Sequence, residues 1–182
     1  MTKGQIVEIP ANAPLYSREI PAFTSKKEML IWQSQERFYS LFDGFLVGDH
    51  PGVDHFKLGQ RKGIKVGGKK APLYVIEIDR KNNRLFVGAG EKHPGLWTNV
   101  LSFPKNLLEF HQNEIVTESQ LENGIPVEVL SSVFEPKIPA ILYMFGEKGF
   151  LEFQHSISIV IIANPIRILY KDTLLANTFK YL

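Results

Sequence analysis

The chain has 182 residues, 44% of them hydrophobic and 22% charged, which is enough apolar material for one large domain or two small ones. It contains no cysteine, and this excludes thiolate nucleophiles, disulfides, iron–sulfur clusters and cysteine-ligated zinc together. A formal charge of +2 names no partner, so local clustering of charge matters more than the total.

No run reaches the roughly 18 apolar residues of a membrane span; the longest candidate, Ile157 to Ile162, is strand-sized. The segment Met1-Thr2-Lys3-Gly4-Gln5 lacks the apolar core of a secretory signal, so the chain reads as cytoplasmic, with no membrane partner.

In chain order, Gln5 to Ile9 is rich in β-branched residues and predicts a strand stopped by Pro10. Prolines at 10, 14 and 21 keep the next stretch irregular. Thr24-Ser25 then caps a predicted helix from Lys26 to about Leu41, with Met29, Leu30, Trp32, Tyr39, Leu41 and Phe42 as its apolar positions.

From Asp43-Gly44 onward, closely spaced Gly, Pro and Asn punctuate short strands. The clearest is a hairpin pairing Leu73 to Ile78 with Arg84 to Gly88 around Asp79-Arg80-Lys81-Asn82-Asn83, where Asn tolerates the positive φ of a tight turn. His93 to Pro104 predicts a junction between two β-rich units. Beyond it, strands are expected at Ile125 to Leu130, Ala140 to Phe145, Phe150 to Gln154, Ser158 to Ile162 and Ile166 to Tyr170, a spacing that suggests a small barrel or sandwich.

The most informative segment is 57–70, Lys-Leu-Gly-Gln-Arg-Lys-Gly-Ile-Lys-Val-Gly-Gly-Lys-Lys, with six basic side chains, four glycines and no acid. Glycines expose backbone amides and permit close approach, while Arg and Lys neutralise phosphates, so the composition suits a nucleic-acid backbone as well as a solvated basic hairpin. It is not a Walker loop, because Gly68-Lys69 is followed by Lys70 rather than Ser or Thr, with Pro72 close behind.

The string Gly59-Gln60-Arg61-Lys62-Gly63-Ile64, with Val66-Gly67-Gly68 behind it, resembles the G-Q-R-K-G-[LI]-x-[IV]-G-G signature of the tRNA-specific 2-thiouridylase family. Its flanks agree: Val47-Gly48-Asp49-His50-Pro51-Gly52 is similar to V-G-E-H-x-G, and Pro72-Leu73-Tyr74-Val75-Ile76 to P-[LW]-[YF]-V-[IV]. Leu85-Phe86-Val87-Gly88-Ala89-Gly90 and His93-Pro94-Gly95-Leu96 continue the resemblance across residues 43 to 97, and Gly4-Gln5-Ile6-Val7 is similar to the opening of the family's central domain.

The resemblance implies a mainly β (α+β) chain. A central β-rich domain with one helix spans 1–97, with an insertion at about 10–42, and a C-terminal six-stranded-type β-barrel spans 98–182. It implies a tRNA-binding accessory portion of a wobble-uridine 2-thiolation (sulfurtransferase) protein that is not catalytic alone. In the family, ATP and a sulfur-donor protein serve an N-terminal pyrophosphatase domain with an S-G-G-x-D-S loop and two cysteines, which this sequence lacks. The chain therefore reads as a C-terminal fragment or stand-alone relative, and a longer natural polypeptide carrying the catalytic domain is equally consistent with it.

By position, the resemblance makes Gln60, Arg61 and Lys62 the leading RNA contacts, with Lys57, Lys65, Lys69 and Lys70 as supplementary charge and Gly59, Gly63, Gly67 and Gly68 shaping the loop. Ile138-Pro139-Ala140 keeps a barrel motif, but Ser132-Val133-Phe134-Glu135 stands where the family has arginines. Arg167 is a substitute contact, and Leu175-Ala176-Asn177-Thr178 replaces a glycine turn. Loss of the arginines favours the alternative of a non-catalytic β-barrel module that binds a protein partner such as a catalytic subunit.

Asp49-His50 and Asp54-His55 could converge on a metal, but strand positions five apart face opposite sides, so no metal site is assigned. His93, His111 and His155 read as scattered polar or edge positions. Tyr74 and Trp97 are candidates for base stacking, with core filling the simpler expectation.

Overall fold

A computed structural model describes residues 3–35, 39–111, 116–132 and 134–178, with no description of the side chains of Phe134, Glu135 and Ile162. The chain divides into two compact units: Met1–Pro21 with Glu36–Trp97, and Ala22–Gln35 with Thr98–Leu182. Among the described residues, no helix is long and apolar enough to cross a membrane.

The first unit is built on a four-stranded sheet of β1 (Gly4–Glu8), β2 (Phe45–His50), β3 (Leu73–Asp79) and β4 (Arg84–Ala89), in the order β2-β1-β4-β3. The predicted hairpin is β3–β4, with Leu73 opposite Ala89 and Asp79 opposite Arg84. Asn83 takes φ 52° in its turn, and Asp79 accepts hydrogen bonds from the Asn82 backbone (3.0 Å) and side chain (2.7 Å). Strand β1 lies between β4, which it meets in parallel, and β2, which it meets antiparallel.

Side chains alternate along each strand, so one face gathers Ile6, Val75, Leu85 and Val87, all fully buried, with Phe56 and Leu73 beside them. Strand β2 carries no strand signal in its sequence. It begins with exposed Phe45 and Leu46 and so lacks the alternation that marks a half-buried strand.

The second unit carries a seven-stranded sheet, β5-β9-β8-β7-β10-β11-β6, formed by β5 (Trp97–Pro104), β6 (Leu108–Phe110), β7 (Ile125–Ser131), β8 (Phe134–Phe145), β9 (Lys148–Ser158), β10 (Ile166–Tyr170) and β11 (Thr173–Thr178). The sheet curls into an open half-barrel of seven strands with β5 and β6 at its edges, where a closed six-stranded type was expected from the sequence. Its interior is lined by Phe103, Val129, Leu142, Leu151, Ile161, Ile168 and Leu175 among others. A short helix, α2 (Glu118–Asn123), carries a capping box between Thr117 and Gln120.

The first helix, α1 (Lys26–Gln33), is shorter than the predicted span to Leu41. Ser25 caps it by accepting the Glu28 amide hydrogen at 3.2 Å, and Glu28 accepts from the backbone and hydroxyl of Thr24 at 2.9 and 2.7 Å. The apolar residues that extended the prediction do not continue the helix. Leu41–Asp43 forms a separate 3₁₀ turn capped by Ser40, while residues 36–38 lie outside the described residues. Helix α1 docks in the second unit: Leu30 is buried with Val100, Tyr143 and Phe150, and Lys26 pairs with Glu152 at 2.7 Å.

One further expectation changes. Ser158 to Ile162 is not a strand; β9 ends at Ser158, whose hydroxyl accepts from the Val160 amide, and Ile159–Ala163 turns as a 3₁₀ helix. A short unbroken apolar run has no period to separate strand from turn. The predicted junction, His93 to Pro104, contains the boundary between the two units at Trp97, and its later part is strand β5. Leu175 to Thr178, which replaces the family's glycine run, is part of β11.

Candidate nucleic-acid interface

The basic loop leaves the first unit's core at Leu58 and returns to it at Ile64 and Val66, which pack against the cluster around Phe56 and Val75. These inward residues fix the loop's ends, and the cations between them point out. Two backbone bonds clamp it to β3: Gly59 donates to the Val75 carbonyl at 2.8 Å, and Val75 donates to the Gln60 carbonyl at 3.0 Å.

Gln60 ties the loop internally. Its Oε1 accepts from the Lys57 amide at 2.9 Å and its Nε2 donates to the Lys62 carbonyl at 2.8 Å. Gly59 and Gly63 adopt φ of 74° and 89°, a region side chains disfavour, so the turn depends on glycine there. Gly68 is also positive at 72°, whereas Gly67 has no such requirement.

The outward charges are not equivalent. Lys69 forms an ion pair with Glu8 on β1. Arg61 lies against the Tyr74 hydroxyl, which donates to Glu91 at 3.0 Å. Burial raises the Tyr74 phenol above its ordinary range, with Glu91 reinforcing and Arg61 opposing. Lys57, Lys62, Lys65 and Lys70 are exposed and make no ion pair among the described residues. Arg167 is exposed on β10 of the second unit, opposite Asn177 and Leu130. At the site of the missing arginines, Val133 and the side chains of Phe134 and Glu135 lie outside the described residues.

The histidines divide by burial. His93 is no edge residue: it is 2% exposed, with Nε2 bonded to the Ile9 carbonyl at 2.9 Å and Nδ1 accepting from the Gly95 amide at 3.1 Å. His50 is also buried, its Nδ1 accepting from the Gly52 amide at 3.1 Å and its ring edge-on to Phe56. Nε2 of His50 has no partner. Because β2 ends at His50 and a 3₁₀ turn spans Val53–His55, both His50 and His55 line one cavity of about 150 Å³, with Asp49, Phe56, Gln60 and Lys65. The strand argument that placed them on opposite sides therefore fails. Asp54 pairs with Arg80, and among the described residues no three His, Asp or Glu side chains are grouped to hold a metal.

His50 also explains the glycine at position 4. A Cβ there would come within 2.3 Å of both the His50 ring and the Asn83 carbonyl. The opening motif and the V-G-D-H motif are thus two sides of one contact.

A family model described as the tRNA methyl transferase PRC-barrel domain matches residues 28–89. Three relatives carry the name tRNA-specific 2-thiouridylase MnmA. The protein of Christiangramia forsetii is 35% identical over 127 residues, covering 70% of this chain and 32% of the relative. That of Flavobacterium johnsoniae is 32% identical over 153 residues, covering 83% and 38%, and that of Karelsulcia muelleri is 38% identical over 121 residues, covering 66% and 30%.

Fold and loop together define a class: β-rich modules with a basic, glycine-shaped loop, similar to proteins named for tRNA modification. Within that class, this chain belongs to the MnmA-type 2-thiouridylase family. It spans about a third of the length of these relatives.

Proposed function

We propose that this chain is the tRNA-binding, accessory portion of a wobble-uridine 2-thiolation protein, and that the 57–70 loop is its phosphate-contacting element. The observation that carries the reading is the loop's construction: Gln60 and two positive-φ glycines hold a turn from which Arg61, Lys62 and Lys65 project into solvent. A charge array fixed by backbone bonds contacts a polyanion with less ordering cost than a mobile tail. In this reading ATP and a sulfur donor serve a catalytic domain or subunit, and Arg167 adds a contact from the second unit.

The test is a titration of the chain with unmodified tRNA over a salt series. Affinity should fall steeply with salt, and Arg61→Ala with Lys62→Ala should weaken binding and reduce the log–log slope by about two charges' worth. Equal affinity and slope in the double variant would remove the loop from the interface.

A second reading, a protein-interaction module, is favoured by the apolar exposure at edge strand β2 and the turn before it: Phe42 is 98% exposed, Phe45 67% and Leu46 60%. Absence of tRNA binding even at low salt would leave this reading standing and the first one rejected.

A further inference from the structure

Where the basic loop returns to the sheet, it forms part of the wall of the cavity of about 150 Å³ that His50 and His55 also line. Ile64 and Val66 turn inward to the core, and Lys65 between them is exposed at the cavity's rim. Strand β2 contributes Asp49, also exposed, opposite Gln5 on β1. Neither Lys65 nor Asp49 makes an ion pair among the described residues. Buried Phe56 and Pro51 add apolar wall. Gln60 spends its amide on Lys57 and Lys62, while His50 has Nδ1 on the Gly52 amide and Nε2 close against Gly4. The polar groups left for a ligand are therefore Asp49, His55 and Lys65.

We infer that this cavity receives the base of an unpaired guanosine in the RNA whose phosphates the loop holds, with Asp49 accepting from the base and Lys65 meeting its phosphate. The inference rests on the loop being the phosphate contact. Size limits the occupant: the cavity falls below the ~300 Å³ at which pockets take a whole drug-sized ligand, so it suits one flat ring system. Charge excludes a bare anion, which would meet the Asp49 carboxylate. An ionised carboxylate only accepts hydrogen bonds, and guanine presents two adjacent donors, a ring N–H and an amine, on one edge. Adenine and cytosine set a ring acceptor beside their amine, and uracil flanks its single N–H with carbonyls, so each turns a lone pair toward Asp49. The His55 ring and the apolar wall are left to cover the faces of the base.

The test uses the full chain and labelled single-stranded RNAs of one length: all uridine, the same with one central guanosine, and the same with inosine there, which lacks the amine. The guanosine RNA should bind about 5- to 150-fold tighter than the uridine RNA, with inosine between them. Asp49→Asn should remove most of that preference yet bind the uridine RNA at least as well, because it deletes a negative charge and no cation. Lys65→Ala should weaken all three RNAs alike and lower the salt slope by about one charge. Equal affinity for the three RNAs, or a guanosine preference undiminished in Asp49→Asn, overturns the base site, while salt-dependent binding that falls in Arg61→Ala with Lys62→Ala upholds the phosphate reading. No binding by any RNA at low salt overturns both.

Discussion

The side-chain amide of Gln60 donates to the Lys62 carbonyl at 2.8 Å while its oxygen accepts from the Lys57 amide, so a residue of the basic loop's signature spends its polar atoms on the loop itself. The neighbouring Arg61 and Lys62 carry the charge, and Gln60 sets their spacing. Gln60→Ala should therefore lower tRNA affinity several-fold without altering the salt slope, because no cation is lost. Arg61→Ala should lower both. Gln60→Glu keeps the acceptor for Lys57 but loses the donor to Lys62 and adds a negative charge beside Arg61 and Lys62, so it should bind more weakly than Gln60→Ala and with a shallower salt slope; paired salt titrations distinguish the three.

Lys69 is drawn onto Glu8 and so is withheld from a polyanion. Glu8→Gln should release it, strengthening tRNA binding at low salt and steepening the salt slope by about one charge. Stability should change little, since a partly exposed ion pair contributes about 0–1 kcal/mol. Urea unfolding alongside the binding series checks both halves of the expectation.

Gly4 lies where any side chain would collide with the Asn83 backbone and the His50 ring. Backbone cannot swing aside as a flexible side chain can, so Gly4→Ala should destabilise the first unit by about 1–3 kcal/mol. Denaturant midpoints for Gly4→Ala and for Gly67→Ala, where a Cβ meets nothing within 4 Å, should separate clearly; equal midpoints would contradict the packing.

The Asp79 carboxyl is held below its ordinary value of 3.8. Partial burial pushes it up, but the Asn82 side-chain and backbone hydrogen bonds and the Arg84 charge together outweigh that effect. A carboxylate with a depressed folded-state value stabilises the fold above its unfolded value, and that contribution is lost as pH falls through the folded one. Acid titration of stability should therefore show a limb below about pH 4 that Asp79→Asn flattens. An unchanged limb in the variant would assign it to other carboxylates.

The parts of this fold legible in sequence were those with a local cause. The β3–β4 hairpin has alternating strands and a turn of Asn residues, and the start of α1 has Thr24, Ser25 and Glu28 in capping positions. The end of α1 was misread because Tyr39, Leu41 and Phe42 continue an apolar spacing without continuing the helix. Long-range causes left no local mark. Nothing near His93 in sequence shows that its ring bonds Ile9, and nothing near Lys69 shows Glu8 opposite it. At the site, the loop was visible as composition and motif, whereas the role of Gln60 as a brace for that loop required the hydrogen bonds.

Strand β1 occupies an interior place in its sheet, yet its neighbours arrive much later along the chain: β2 ends at His50, and β4, its parallel partner, ends at Ala89. During synthesis, the side of the first strand that pairs with β4 must remain open until the ribosome has released residue 89 and the loop that carries the cations. Closing so distant a pair carries an entropy cost that local hairpins avoid, so β3–β4 should form early and β1 should slot in last. The basic loop is then displayed on a finished hairpin before the sheet beneath it is complete.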